Sequence, residues 1–201
     1  LGYVAQDQWD QHYADGRDFR PLRHAERTLL AAYTPPPDSG RALDVGCGTG
    51  ELAAHLADLG YHVDAVDFAS SAVTRATRER ADAENIRWLH LDIERDDLAE
   101  LSGDGYDLIT LRLVYAFLKD RARTLRGLAE RPRPGGTVVV ITPLAEHTPV
   151  KRRDIALDED EIGLLTTGWD EAERLAADGL AVLVLRGPVG DSVTSPQLNG
   201  G

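Results

Sequence analysis

The stretch Ala42-Leu43-Asp44-Val45-Gly46-Cys47-Gly48-Thr49-Gly50 constrains this chain more than any other. A short apolar run leads straight into three alternating glycines, and Leu52, Leu56 and Leu59 then mark one helix face. Strand, tight turn and helix in that order set a helix N-terminus, with free N–H groups and a positive dipole end, at the carboxyl end of a strand. Glycine at positions 46 and 48 lets the backbone turn sharply and pass close to a ligand where a Cβ would clash. In an open α/β sheet ligands bind at such strand ends, where the strand order reverses.

The rest of the chain fits an alternating pattern. Apolar runs at 42–45, 61–66, 86–91, 106–111 and 137–141 read as strands. Helical stretches are expected after the glycine turn, from a capping Ser70 to about residue 83, and over 118–131. Strands alternating with helices argue for right-handed crossovers and a parallel sheet. Two helices precede the glycine turn, at 6–13 and 22–33, the second stopped by Pro35, Pro36 and Pro37. After a short helix at 158–165, runs at 169–175 and 180–185 flank Ala-Ala-Asp-Gly, a hairpin signal. The layout divides into a helical lid (1–34), an α/β domain (35–186) and a Gly-, Pro-, Ser- and Asn-rich tail or linker (187–201).

Which ligand the turn serves depends on its spacing. Dinucleotide folds use G-x-G-x-x-G; here the spacing is G-x-G-x-G, and Glu51 stands where a pyrophosphate would meet the helix. No Gly-Lys-Ser/Thr follows, which removes the P-loop reading. Asp44, inside a buried strand, needs a partner, either a cationic ligand or loop amides. Asp67 ends the second strand, where an acid can accept both hydroxyls of a ribose, and Phe68 beside it can lie on an adenine face. Asp92 ends the third strand, placed to accept from an adenine amino group, with Ile93 next to it. Taken singly, Asp67 reads equally well as a helix cap and Asp92 as a turn former.

Composition narrows the partners. Acids outnumber bases 34 to 22, a net charge of −12, which disfavours nucleic acid and anionic membranes. A single cysteine, Cys47, excludes a disulfide framework and a Cys-rich metal site within the chain, and no metal is expected. No apolar stretch approaches a membrane span and no signal peptide is visible, so a cytoplasmic location is expected. The chain has no methionine, which suggests a lost native start and an excised domain, with a further domain on the same polypeptide.

On these residues the chain resembles the class I S-adenosylmethionine-dependent methyltransferases over roughly 38–186. The run from Ala42 to Gly50 is similar to that family's first motif, Asp67 to its ribose-binding acid and Asp92 to its adenine-contacting acid. Pro134-Gly135-Gly136-Thr137-Val138 resembles the turn into its fifth strand, and the hairpin after Trp169 its reversed last strand. More weakly, the chain resembles methyltransferase domains fused to Nudix hydrolases. The resemblance implies a Rossmann-like seven-stranded sheet of order 3-2-1-4-5-7-6, strand 7 antiparallel, with helices on both faces. It implies S-adenosylmethionine as cofactor and S-adenosylhomocysteine as product. Asp44, Gly46, Cys47, Gly48, Asp67, Phe68, Asp92, Ile93, Leu111 and the lid's Tyr13 are the implied cofactor-binding residues.

Methyl transfer is a direct displacement that needs alignment and water exclusion, so catalytic residues leave faint signals. The loop after the fourth strand, 111–117, usually faces the methyl group. There Arg112 can hold an anionic group, and Tyr115 can hydrogen-bond a nucleophile or, equally, only pack. The Asn/Asp-Pro-Pro-Tyr pattern of amide and base methyltransferases is absent. Trp9, His12 and Tyr13 resemble a lid helix, with His12 a candidate base or a plain surface histidine. Arg23 and His24 are weaker candidates, and the irregular 143–157 stretch, with His147, Arg152 and Arg153, is expected over the substrate pocket. The expected function is methyl transfer to an O or N nucleophile of a small molecule or peptide. A non-catalytic cofactor-binding module and, less favoured, an NAD-dependent oxidoreductase are the alternatives.

Overall fold

The computed structural model describes residues 5–188. Two helices, α1 (Gln6–Ala14) and α2 (His24–Tyr33), precede β1 (Arg41–Val45), α3 (Glu51–Leu59), β2 (His62–Asp67), α4 (Ser70–Glu79) and β3 (Ile86–His90). Then come β4 (Tyr106–Arg112), α5 (Arg121–Ala129), β5 (Pro132–Pro143), α6 (Glu159–Thr167), β6 (Trp169–Ala177) and β7 (Leu180–Pro188). The strands form one sheet of order β3-β2-β1-β4-β5-β7-β6. Pairing is parallel up to β5, whereas β7 runs antiparallel to both β5 and β6. This is the expected Rossmann-like topology.

Side-chain alternation along the strands explains why both faces need covering. Leu43, Val45, Ile109, Leu111, Val138 and Val140 point to one face, packed under Leu125 and Leu128 of α5 and Ile162 and Leu165 of α6. Ala42, Ala65, Leu108, Val139 and Ile141 point to the other, under Leu30 of α2 and Leu52 and Leu56 of α3. The β6–β7 hairpin turns on Asp178 and Gly179, with φ of 50° and 77°. Positive φ at both positions is what a two-residue turn between twisted strands demands, and Asp-Gly meets it.

Several local expectations are corrected. Ser70 does not cap α4: the N-cap position is Ala69, without a side-chain cap, and the helix ends at Glu79. The helix after β4 begins only at Arg121, capped by Asp120, because a 3₁₀ turn at Tyr115–Phe117 comes first. β5 starts at Pro132 rather than at Thr137. An irregularity in its register with β4 absorbs Gly135, which has φ of 80°. Strand β7 continues through Gly187 and Pro188, two positions assigned to the tail; the rest of that segment lies outside the described residues.

The N-terminal segment is latched onto the sheet's carboxyl edge. α1 packs on α4, where Asp10 Oδ1 accepts from the Ser71 amide at 2.7 Å. Arg75 of α4 donates to the carbonyls of Tyr13 and Arg17 and pairs with Asp18 at 3.2 Å. Farther along, Glu51 at the start of α3 accepts from the Leu22 amide at 2.8 Å. These contacts hold residues 6–22 across the carboxyl ends of the central strands.

Candidate functional site

A cavity of about 590 Å³ opens between the lid and the carboxyl ends of β1, β2, β3 and β4. The glycine turn forms its floor. Gly46, Gly48 and Gly50 have φ of 68°, 54° and 82°, a region that disfavours side chains. Space forbids side chains as well. A Cβ on Gly46 would overlap Val114, one on Gly50 would overlap the Trp88 ring, and one on Gly48 would come 2.9 Å from the Tyr13 hydroxyl. Leu113, also lining the cavity, holds a φ of 58° at the end of β4, a strained conformation of the kind that gathers at ligand sites.

Four of the turn's amides are engaged. Gly46 and Cys47 donate to the Val66 carbonyl at 2.8 and 3.0 Å, Gly48 to Asp67 Oδ2 at 2.9 Å, and Gly50 to the Cys47 carbonyl at 2.9 Å. β2 thus takes up the Gly46, Cys47 and Gly48 amides, which leaves these three with none to offer a phosphate. Asp67 also accepts from the Ala69 amide at 2.9 Å, so it ties the glycine turn to the start of α4. Each carboxylate oxygen keeps a second lone pair, and Asp67 lines the cavity. Burial pushes its carboxyl up to about 6, against the lowering effect of the two amides.

Asp44 is buried beside it. Its Oδ1 accepts from the Thr110 hydroxyl at 2.8 Å, while Oδ2 is buried with no hydrogen-bond partner. Burial is again the dominant cause and pushes this carboxyl up to about 7, partly offset by Thr110, by the Arg112 guanidinium and by the Ala53 amide of α3. Cys47 and Tyr13 line the same space, and burial raises both above their ordinary values. Burial thus disfavours a Cys47 thiolate, the form a nucleophile needs.

Phe68, Asp92 and Ile93 line the cavity on the β2–β3 side. Asp92 Oδ1 accepts from the Glu94 amide at 2.9 Å, so the turn-forming role and the cavity position coincide. Three sequence candidates lie elsewhere. Leu111 is buried in the core and does not line the cavity, because strand alternation turns it away from the face that carries Thr110 and Arg112. Tyr115, in the 3₁₀ turn, packs into the core with Leu125, Ile162 and Leu165, where burial raises its phenol. His12 lines a neighbouring cleft and not this cavity, packed behind Trp9 and Tyr13.

Arg112 reaches the cavity but is not free to hold an anion. It forms a two-pronged pair with buried Glu26 (2.9 and 3.2 Å) and donates to the Arg20 and Pro21 carbonyls at 2.8 and 3.0 Å. It fastens α2 and the segment before it to the end of β4. Arg23 and His24 are exposed at the start of α2, and His147 is exposed beside Glu146. Of the 143–157 stretch, Arg152 lines the neighbouring cleft. Glu26, Thr110, Trp88 and Phe19 escaped sequence reasoning. Glu26 alone left a signal, a carboxylate between Leu22 and Leu30 on the buried helix face.

Residues 13–186 match the sequence family described as a methyltransferase domain. The chain belongs to the class I S-adenosylmethionine-dependent methyltransferases. It is 41% identical over 100 residues to an uncharacterized methyltransferase of Mycobacterium bovis, covering 50% of this chain and 49% of that protein. It is 32% identical over 143 residues to the trans-aconitate 2-methyltransferase of Deinococcus radiodurans, covering 71% of this chain and 53% of that protein. The chain thus spans about half the length of these curated relatives. A putative S-adenosylmethionine-dependent methyltransferase from Methanococcus maripaludis shares the fold (TM-score 0.69, 17% identity, 94% of this chain and 95% of that one). So does the N-methyltransferase NodS of Bradyrhizobium japonicum in complex with S-adenosylhomocysteine (TM-score 0.65, 24% identity, 83% and 86%).

S-adenosylmethionine is the cofactor of this methyltransferase family, and the residues present fit it. The unpartnered Asp44 Oδ2 suits a cationic group, and Gly46 and Gly48, at φ values that disfavour side chains, line the cavity with bare backbone. Asp67 and Asp92 offer carboxylate oxygens to hydroxyl and amino donors, while Phe68 and Ile93 offer apolar surface.

Proposed function

We propose that this chain catalyses methyl transfer from S-adenosylmethionine to an oxygen or nitrogen nucleophile of a small molecule or peptide. One observation carries the reading: the Gly46, Cys47 and Gly48 amides at the cavity floor are taken up by β2, and beside them a buried Asp44 oxygen has no hydrogen-bond partner. A floor short of positive charge welcomes a cation and repels a pyrophosphate, which also disfavours NAD. When bound, the cofactor supplies an electrophilic methyl on a sulfonium, needing no metal.

The chain's own residues do the rest. Asp67, Asp92, Phe68 and Ile93 hold the nucleoside end, and Asp44 offsets positive charge. Tyr13, Trp9 and Phe19 cover the cavity and keep water out. Arg112, through Glu26 and the Arg20 and Pro21 carbonyls, positions the covering segment rather than the acceptor. Curated relatives that methylate trans-aconitate or act in ubiquinone biosynthesis as O-methyltransferases favour a small acceptor and oxygen. The absence of any helix among the described residues long and apolar enough to cross a membrane supports a cytoplasmic assignment.

The test is an S-adenosylhomocysteine-release assay across hydroxyl, carboxylate and amine acceptors. Acceptor-dependent release is expected with at least one class. Tight cofactor binding without release across the panel would contradict the proposal and favour a non-catalytic cofactor-binding module.

A further inference from the structure

A second cleft, of about 290 Å³, lies beside the lid and is lined in part by Trp9, His12, Phe19, Phe117, Arg152 and Asp154. Trp9, Phe19 and Phe117 also line the main cavity, so these three rings are the partition between the two spaces. They meet edge to face, with centroids 5.3 Å apart for Trp9–Phe19, 5.5 Å for Trp9–Phe117 and 6.2 Å for Phe19–Phe117. Such a wall suits the face or edge of a planar molecule.

Two polar groups in the cleft lack partners. His12 Nε2 is buried without a hydrogen bond, although its ring packs at 5.3 Å against both Trp9 and Tyr13. A buried ring nitrogen left unpaired is costly, and a ligand hydroxyl would satisfy it. Arg152 is exposed at the rim, and its guanidinium forms no hydrogen bond or ion pair with any described residue. It matches a carboxylate in shape and charge. Asp154, exposed in the same cleft, disfavours a second anionic group.

We infer that this cleft is the acceptor's site, that it takes a planar, hydroxyl-bearing carboxylate, and that His12 and Arg152 hold its two ends. The inference rests on the methyltransferase reading above. His12 Nε2, as neutral imidazole, takes the proton of the acceptor hydroxyl and becomes imidazolium. The electron pair released on oxygen forms the new O–CH₃ bond, and the bond from methyl to sulfur breaks with its electrons kept on sulfur. The three rings act as the gate through which the acceptor oxygen reaches the main cavity.

The test is calorimetric titration of para-hydroxybenzoate into the chain preloaded with S-adenosylhomocysteine, followed by methyl transfer to the same acid. Saturable binding is expected, and Arg152→Ala is expected to weaken it by at least about tenfold while leaving S-adenosylhomocysteine affinity unchanged. His12→Phe keeps a ring against Trp9 and Tyr13. It should weaken para-hydroxybenzoate binding less than Arg152→Ala does, yet slow transfer by at least about a hundredfold. Absent binding, or binding indifferent to Arg152→Ala, would overturn the assignment of the cleft. Transfer absent from the unsubstituted chain, or unchanged in His12→Phe, would overturn the proton-accepting role. Failure to bind S-adenosylhomocysteine at all would instead sink the methyltransferase reading beneath it.

Discussion

Asp44 holds a carboxyl that burial pushes up to about 7, while in the unfolded chain the same group ionises near about 3.9. Between those values the folded chain binds more protons, so stability falls as pH rises across that window. A cation seated against Oδ2 favours the ionised form. S-adenosylmethionine affinity is therefore expected to rise from about pH 5 to 8, and Asp44→Asn to confine the remaining rise to the lower range that Asp67 governs, below about 6. Calorimetry across that range checks this; an unaltered pH profile in Asp44→Asn would remove Asp44 from the cation's surroundings. Asp67 invites a sharper comparison. Its two oxygens accept from the Gly48 and Ala69 amides, so an asparagine must turn an NH₂ toward an N–H. Asp67→Asn is expected to lose cofactor affinity as severely as Asp67→Ala, by more than about tenfold. Wild-type affinity in Asp67→Asn would show that the tie between turn and helix does not matter.

α4 begins without a cap of its own, and α1 supplies one in Asp10, whose carboxyl the Ser71 amide holds below the usual range. Lid and cofactor floor are therefore coupled through one helix terminus. Asp10→Ala is expected to cost about 1 kcal/mol, the usual worth of a cap. Hydrogen exchange should quicken over 6–14 and 70–73 while the central strands stay protected; exchange unchanged in both segments would contradict the coupling. This cap was invisible in the sequence because its donor and acceptor lie 61 residues apart. The same holds for Glu26 with Arg112, separated by 86 residues, and for the ring partition of Trp9, Phe19 and Phe117. What could be read was local. Periodic helix faces, short apolar strands, the Asp-Gly turn and the glycine spacing all depend on neighbours within a few residues. Local reading placed Leu111 in the site because strand alternation was ignored, and it left Tyr115 open between a site role and packing, which the 3₁₀ turn decides by placing it in the core.

The strand order followed from resemblance, but its consequence for chemistry needed the folded chain. Placing β1 between β2 and β4 lets the Val66 carbonyl and Asp67 consume the glycine-turn amides, and lets Thr110 take only one oxygen of Asp44. The Gly46, Cys47 and Gly48 amides thus face β2 and not the ligand space. The same placement keeps the lid over the cavity and leaves the second cleft on its flank. The most direct test is a calorimetric titration with S-adenosylmethionine and S-adenosylhomocysteine, with NAD as the control. The structure predicts affinities in the micromolar range for the first two and none for NAD. Preference for NAD, or binding of none of the three, would contradict it.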